Sequence, residues 1–332
     1  MSDRPGLDPA VEDITRQLRR AQHIVAITHL APDADAIGGL LGLTLALRAI
    51  GLRVTPACGD DIPARFKVLP GYDDIVHKVA ASPDLLVALD CADRERMGQL
   101  PAAPDWQRVP IVNIDHHVTN TRFGQINWID TNATATSEII LDLIDHLGIS
   151  LTSDIATNLL YGIVGDTLGF RTTHTTPHAL ECAMRLMDAG ANLSEAMEQL
   201  FNRRTYSQIS LWAAALGVMK LEMPISRKHA RVIWTQISKA TRRACGLPDW
   251  SNNGLSSFLI SADEADVAAV LTEKDDGQID VSVRAKRGFD VSGAAQALGG
   301  GGHPLAAGAT IDGPLDTAAQ RVLAALKTIQ RA

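Results

Sequence analysis

Val109-Pro110-Ile111-Val112-Asn113-Ile114-Asp115-His116-His117 decides the reading of this chain. The apolar run from Val109 to Ile114 reads as a buried strand of a parallel sheet, and a polar triplet follows it without a gap. Ligands in open α/β sheets sit just beyond the carboxyl ends of such strands. Three more acidic clusters stand where other strand-like runs or helices end: Asp33 with Asp35, Asp90, and Asp166. Carboxylates and imidazoles that converge from separate segments point to a metal site.

Outward from that strand, the pattern is a βαβ rhythm. Residues 10–22 have helical spacing (Ala10, Val11, Ile14, Leu18), and His23 to Thr28 is a short strand. The turn His29 to Asp35 leads into a helix, Ala36 to Ile50, which Gly51 stops. Arg53 to Ala57 and Leu85 to Asp90 are further strands, mostly separated by helical stretches, as in a doubly wound parallel sheet. Helices are predicted over Thr136 to Leu147, Ser153 to Val164, Pro177 to about Ala189, Ser194 to Phe201 and Tyr206 to Glu222. From His229 the pattern changes to a smaller α/β unit. Its strands are Arg231 to Thr235, Val267 to Glu273, Ile279 to Arg284 and one near Ala307 to Ile311, with helices Ser292 to Leu298 and Leu315 to Ile329. Asp275-Asp276-Gly277 suits a hairpin turn.

Composition bounds the function. At 332 residues with 46% hydrophobic content, two globular domains are the default. No apolar run is long enough to span a bilayer, and the N-terminus MSDRPGLDPAVED lacks the regions of a signal peptide, so a cytoplasmic location is expected. The cysteines Cys58, Cys91, Cys182 and Cys245 have no paired spacing, which disfavours a zinc ribbon or disulfide framework. A net charge of −7 with no dense basic run argues against tracking long nucleic acid, though a short oligonucleotide held at a few points is allowed.

His29-x3-Asp33-x-Asp35 puts one imidazole and two carboxylates in a single loop. Hard oxygens with imidazole nitrogens and no thiolate favour Mn²⁺, with Mg²⁺, Co²⁺ or Fe²⁺ as substitutes. Asp33 and Asp35 can each serve one of two adjacent ions, Asp90 can bridge them, and His116 and Asp166 complete the second. Taken singly, an Asp at a strand end more often caps a helix or forms a turn. Six positions at one edge of one sheet carry the case together.

The motifs resemble those of the DHH phosphoesterase superfamily with its DHH-associated C-terminal domain. His29-x3-Asp33-x-Asp35-Ala36-Ile37-Gly38 is similar to the first motif, Asp90 with Asp93 to the second, and Asp115-His116-His117 to the third. Asp166-Thr167-x-Gly169-Phe170 resembles the fourth, although Leu168 departs from the small or polar residue expected there. Gly299 to His303 with Ala306-Ala307-Gly308 resembles the glycine-rich signature of the associated domain. The resemblance implies a catalytic domain over residues 1–203, a helical connector over 204–226 and a substrate-binding domain over 227–332, with a cleft between the domains.

It further implies two Mn²⁺ ions, one on His29, Asp33 and Asp90 and the other on Asp35, Asp90, His116 and Asp166. Two such ions, roughly 3.5–4 Å apart, activate a shared water for in-line attack, so no covalent intermediate is expected. Asp115 and His117 then face the substrate or support the ligands, with His117 polarising a phosphoryl oxygen or protonating the leaving oxygen. Gly300, Gly301 and Gly302 let backbone amides approach an anion, and Arg284 and His303 add charged or polar groups for phosphate. Arg96 and Arg171 are weaker candidates, and Phe170 suits the core better than base stacking.

The branch it resembles most is the bacterial nanoRNase group. That implies hydrolysis of short oligoribonucleotides to mononucleotides, with 3′-phosphoadenosine 5′-phosphate as a further substrate and a homodimer as a compatible assembly. Two alternatives stand beside this: a phosphodiesterase for cyclic di-AMP or linear dinucleotides (pyrophosphate being less favoured), and a non-catalytic nucleotide sensor. The complete ligand set speaks against the sensor.

Overall fold

A computed structural model describes residues 9–79, 83–98, 108–224, 226, 228–247 and 254–331. Residues 1–8 of the polar N-terminal stretch, and 225 and 227 at the expected end of the connector, lie outside them. The chain divides between Arg203 and Arg204 into two units.

The first unit runs α1 (Ala10–Arg20), β1 (Ile24–Ile27), α2 (Ala34–Ala49), β2 (Val54–Ala57), β3 (Leu85–Leu89), β4 (Ile111–Asp115), β5 (Ile126–Ile129), α3 (Thr136–His146), α4 (Ser153–Asp166), α5 (Pro177–Asp188) and α6 (Leu193–Met197). Its five strands are all parallel, in the order β2-β1-β3-β4-β5. β1, β3 and β4 are buried along their whole length, because both sheet faces are covered. One face sends Ile24, Ala26, Val87, Val112 and Ile114 into a core shared with α1 to α4. The other sends Val25, Ile27, Leu86 and Ala88 against Met97 and Val109. The connections after β2 and β3 hold 3-10 turns, Ala64–Phe66, Tyr72–Asp74 and Glu95–Met97, where the strand–helix rhythm predicts helices. Among the described residues, helical cover therefore gathers on the first face.

The strand order fixes where chemistry belongs. From β1 the chain goes outward to β2, then returns to the other flank of β1 as β3. That reversal opens a crevice at the carboxyl ends of β1 and β3, the place where such sheets take their ligands. His29, Asp33 and Asp35 follow β1, and Asp90 follows β3. β5 has no counterpart in the sequence reading, since Ile-Asn-Trp-Ile is a four-residue, half-exposed edge strand with too little pattern to detect. α2 starts two residues earlier than its apolar pattern, because Asp33 caps it by accepting from the backbone N–H groups of Asp35 and Ala36. α4 runs two residues later, so Asp166 ends the helix.

α2 and α4 cross in backbone contact. A Cβ on Gly38 would sit 2.4 Å from the Asn158 carbonyl oxygen and 2.9 Å from the Gly162 nitrogen. One on Gly162 would meet Ser137 Oγ at 2.0 Å and Asp35 Oδ1 at 2.6 Å. These glycines set the distance at which α2 presents Asp35.

The second unit holds α7 (Tyr206–Gly217), β6 (Lys220–Glu222), β7 (Val232–Ile237), α8 (Lys239–Ala244), α9 (Leu255–Leu259), β8 (Val267–Glu273), β9 (Gln278–Ala285), α10 (Ser292–Ala297), β10 (Gly301–His303), β11 (Ala306–Asp312) and α11 (Leu315–Leu326). They form a mixed sheet in the order β10-β11-β9-β8-β7-β6, whose only parallel pair among the described residues is β7 with β8. The predicted helix Tyr206 to Glu222 ends at Gly217, and Lys220–Glu222 becomes an antiparallel edge strand against β7. Leu211 and Ala215 of α7 pack on Ile233 and Ile237 of β7. No helix of the described residues is long and apolar enough to cross a membrane.

Gly38→Ala is expected to cost about 1–3 kcal/mol through overpacking against immovable backbone. Gly293→Ala, with nothing within 4 Å of its added methyl, should stay within about 0.5 kcal/mol of the parent. Urea unfolding midpoints of both variants check this.

Candidate metal centre

Asp90 is the hub. It is 2% exposed and leaves β3 with φ 59°, a left-handed backbone that non-glycine residues adopt rarely and at a cost of order 1 kcal/mol. Its N–H still reaches the Ile114 carbonyl of the neighbouring strand at 3.0 Å. That conformation turns the carboxylate into the crevice with its two oxygens facing different partners. Oδ2 lies 3.4 Å from His29 Nε2. Oδ1 lies 3.6 Å from both His116 Nε2 and His117 Nδ1, and accepts a hydrogen bond from Thr136 Oγ1 at 3.0 Å.

Two donor sets flank it. His29, Asp33 and Asp90 offer ligand atoms that all lie within 4.8 Å of one another, and so do Asp35, His116 and Asp166. His29 Nδ1 faces the Leu30 carbonyl oxygen at 2.7 Å, which requires Nδ1–H and turns Nε2 toward the carboxylates. His116 Nδ1 likewise faces the Ala133 carbonyl, at 3.4 Å. Its Nε2, 3.2 Å from Asp166 Oδ2, is buried without a well-formed hydrogen bond. The sequence-predicted residues His29, Asp33, Asp35, Asp90, His116 and Asp166 are thus brought together at one sheet edge.

Several groups in this centre have a second task. Asp33 caps α2, so the bland reading of that residue is realised alongside the metal-facing one. Asp35, fully buried, accepts from the N–H groups of Thr136 and Ser137 at 2.6 and 3.0 Å and from the Ser137 hydroxyl. It caps α3 from another part of the chain, because the residue at that helix's own cap position is Ala135, which has no oxygen to offer. Asp115, also fully buried, accepts from His116 N–H at 2.8 Å, from His117 Nδ1 at 2.7 Å and from Asn120 Nδ2. Thr136, Ser137 and Asn120 escaped the sequence reading. An alanine before a helix start, amid the polar run Thr134 to Glu138, was the available signal for the first two. Asn120 carried none.

The electrostatics are those of an anion cluster. Burial, together with the charges of Asp90 and Asp166, pushes Asp35 well above the usual carboxylate range. Burial also lifts Asp166 to about 6, against the pull of His116. Burial would raise Asp90 as well, but His29, His116 and His117 around it outweigh that and hold it low. His116 is lowered by burial, yet Asp166, Asp35 and Asp90 carry it to about 10. The hydrogen bond with Asp115 raises His117. Oxygen and imidazole donors around concentrated buried charge, with no thiolate among them, suit hard or borderline divalent cations.

The remaining sequence-predicted residues lie elsewhere or do other work. Arg96 supplies a backbone carbonyl to Leu30 N–H, and Arg171 bonds the Leu168 carbonyl and stacks on Phe201. Phe170 packs against the first unit's core. In the second unit, His303 of β10 pairs with Ala306 of β11, which pairs with Arg284 of β9. Cross-strand neighbours share a sheet face, so His303 and Arg284 flank one small residue, their backbones about 10 Å apart. Two glycines of the run have a packing reason: a Cβ on Gly300 would lie 2.1 Å from the Gly308 carbonyl oxygen, and one on Gly302 2.5 Å from Ala307 Cα. Gly301 has open space around it.

Comparison with known proteins identifies relatives of the chain. Residues 23–163 match the DHH family, N-terminal domain, and residues 248–332 match the DHHA1 domain. A protein of Thermus thermophilus named bifunctional oligoribonuclease and PAP phosphatase NrnA is 35% identical over 308 residues, covering 92% of this chain and 89% of its own. A Bacillus subtilis protein of the same name is 30% identical over 332 residues, covering 96% and 97%. Among solved structures, an exopolyphosphatase-related protein from Bacteroides fragilis shares the fold with a TM-score of 0.86 at 22% identity, covering 96% of this chain and 95% of that one.

Divalent-ion binding must displace protons from His116, held at about 10, and from Asp166, at about 6. Apparent affinity for Mn²⁺ is therefore expected to rise with pH, by up to about tenfold per unit between pH 7 and 9 for the single His116 proton. Calorimetric titrations in buffers of different ionisation heat would count the protons released. A pH-independent affinity would contradict the assignment.

Proposed function

The chain belongs to the DHH family, and from that premise we propose that it is a divalent-metal phosphoesterase acting on short oligoribonucleotides. One observation carries the proposal: the two oxygens of Asp90 face two separate donor sets across one buried carboxylate. The buried His116 Nε2 without a well-formed hydrogen bond, and the upward push on Asp35 and Asp166 from burial and neighbouring carboxylates, both fit cations in those sets. His29, Asp33 and Asp90 would hold one ion; Asp35, Asp90, His116 and Asp166 would hold a second. The absence of thiolate favours Mn²⁺, with Mg²⁺ or Co²⁺ as substitutes.

Bound divalent ions supply an acidified water and neutralise phosphate charge. The protein's own residues supply the rest. His117, with its side chain 42% exposed, is the proton carrier nearest solvent. Asp115 fixes its Nδ1–H tautomer, so Nε2 is the atom that exchanges a proton with the leaving oxygen. Because Asp115 also raises the His117 pKa, a larger share of the ring is protonated at neutral pH. Asp115 is a positioning residue here, since its oxygens are already taken by His116 N–H, His117 and Asn120.

The names of the Thermus and Bacillus relatives support oligoribonucleotides and 3′-phosphoadenosine 5′-phosphate as substrates. In the second unit, His303 and Arg284 flank Ala306 on one sheet face and would bind a terminal phosphate, Arg284 supplying the cation. Burial lowers the Arg284 pKa, but guanidinium stays charged throughout the working range.

Asp90→Ala should lose at least about a thousandfold in turnover and lower bound Mn²⁺ together; full turnover with Mn²⁺ supplied would refute the bridging role. Asp115→Asn should retain metal, lose about 10–100-fold in kcat, and move the alkaline limb of the pH–rate profile to lower pH. Arg284→Ala should raise KM about tenfold or more with metal content unchanged. A panel of diribonucleotides, 3′-phosphoadenosine 5′-phosphate and cyclic di-AMP tests the substrate class, and preference for the cyclic compound would shift the assignment to a cyclic-dinucleotide phosphodiesterase.

A further inference from the structure

Away from Asp90, α3 and α5 bring together a second set of ligand-type side chains with different chemistry. Glu138 of α3 and His178 and Cys182 of α5 offer a carboxylate oxygen, an imidazole nitrogen and a sulfur that all lie within 4.8 Å of one another. Cys182 Sγ is 3.5 Å from His178 Nε2, and the same nitrogen is 3.8 Å from Asp142 Oδ2. Helical periodicity builds the cradle. Glu138 and Asp142 are four apart on α3, His178 and Cys182 are four apart on α5, and each pair shares one face of its helix.

The buried carboxylate points to a ligand independently of the cluster. Glu138 is 1% exposed; its Oε1 accepts from Thr134 N–H at 2.9 Å, while Oε2 is buried with no hydrogen-bond partner. A carboxylate oxygen removed from water and left without a donor is a costly arrangement, and a cation satisfies it. Cys182 is fully buried, and the His178 side chain at 33% exposure gives an ion a way in from solvent.

We propose that Glu138, His178 and Cys182 form a second metal site, for a divalent ion of the zinc type, distinct from the oxygen-rich centre at Asp90. A thiolate with imidazole and carboxylate selects a softer ion than the all-oxygen-and-imidazole donors around Asp90. Binding releases the Cys182 thiol proton, and any proton on His178, to solvent; no redox step is involved. The competing arrangement is an imidazolium ion-paired with Asp142 and Glu181, whose carboxylates lie 3.8 Å from its two nitrogens.

The test uses the full chain, stripped with a chelator and titrated with Co²⁺, because a thiolate–cobalt bond gives a near-ultraviolet charge-transfer band that carboxylates and imidazoles do not. The band should appear in the parent chain, saturate at about one equivalent in Asp90→Ala where the other centre is disabled, vanish in Cys182→Ala, and be displaced by Zn²⁺ but not by Mg²⁺. No band in the parent chain, or a band that survives Cys182→Ala, would overturn the site. If Cys182→Ala fails to fold by circular dichroism, His178→Ala decides instead. A tenfold or greater loss of Co²⁺ affinity in that variant supports the proposal, and unchanged affinity refutes it.

Discussion

Three carboxylates from three different segments, Asp35, Asp90 and Asp166, are held close together in a space largely closed to water, and the first unit is arranged around that repulsion. Two like charges about 4 Å apart repel by roughly 4 kcal/mol at an effective dielectric near 20. His29, His116 and His117 offset part of it, which is why Asp90 stays ionised while Asp35 and Asp166 are pushed upward. The N-terminal amides of α3 supply a further fixed positive potential to Asp35. Protein groups alone leave the centre short of positive charge, which a divalent cation would supply.

Every structural device near the site serves to bring those carboxylates into range. The reversal of strand order at β1 puts the His29–Asp35 loop beside the end of β3. The left-handed backbone at Asp90 aims one carboxylate at both donor sets. Glycines at the α2–α4 crossing remove the Cβ atoms that would hold Asp35 away from Ser137. Strain at Asp90 and backbone contact at Gly38 each lower stability or raise the demand on neighbouring residues. Both are concentrated where the chemistry is, as expected when function and stability compete.

The parts that were legible in the sequence were those written in local pattern. β1, β3 and β4 announce themselves as apolar runs, and the His and Asp residues that follow them are visible because polar residues interrupt such runs. The parts that were not legible depend on partners distant in sequence. Nothing near Thr136 or Ser137 says that their amides bind a carboxylate about a hundred residues earlier, and nothing near Asn120 says that it holds Asp115. β5 and β6 are short edge strands whose existence follows from a neighbour's free edge more than from their own residues. The glycine run has no apolar alternation to mark a strand, yet Gly301–His303 is one. The close backbone approach that Gly300 and Gly302 permit pairs it with β11.

The adjacent imidazoles of His116 and His117 show how identical side chains acquire different work. Both place Nδ1 against an oxygen, the Ala133 carbonyl for one and the Asp115 carboxylate for the other, so both are fixed in the same tautomer. The difference lies in where Nε2 goes. For His116 it ends in a buried position between Asp90 and Asp166, where a divalent cation would take the place of the proton that these carboxylates hold there. For His117 the ring is half-exposed, and the Asp115 carboxylate supports it from the side away from Nε2. A metal ligand must give up its proton when the ion binds, whereas a proton carrier needs a supported ring that faces solvent. Asp115 binds the His116 backbone and the His117 side chain at once, so in the proposed mechanism the first residue of the triplet would set the roles of the other two.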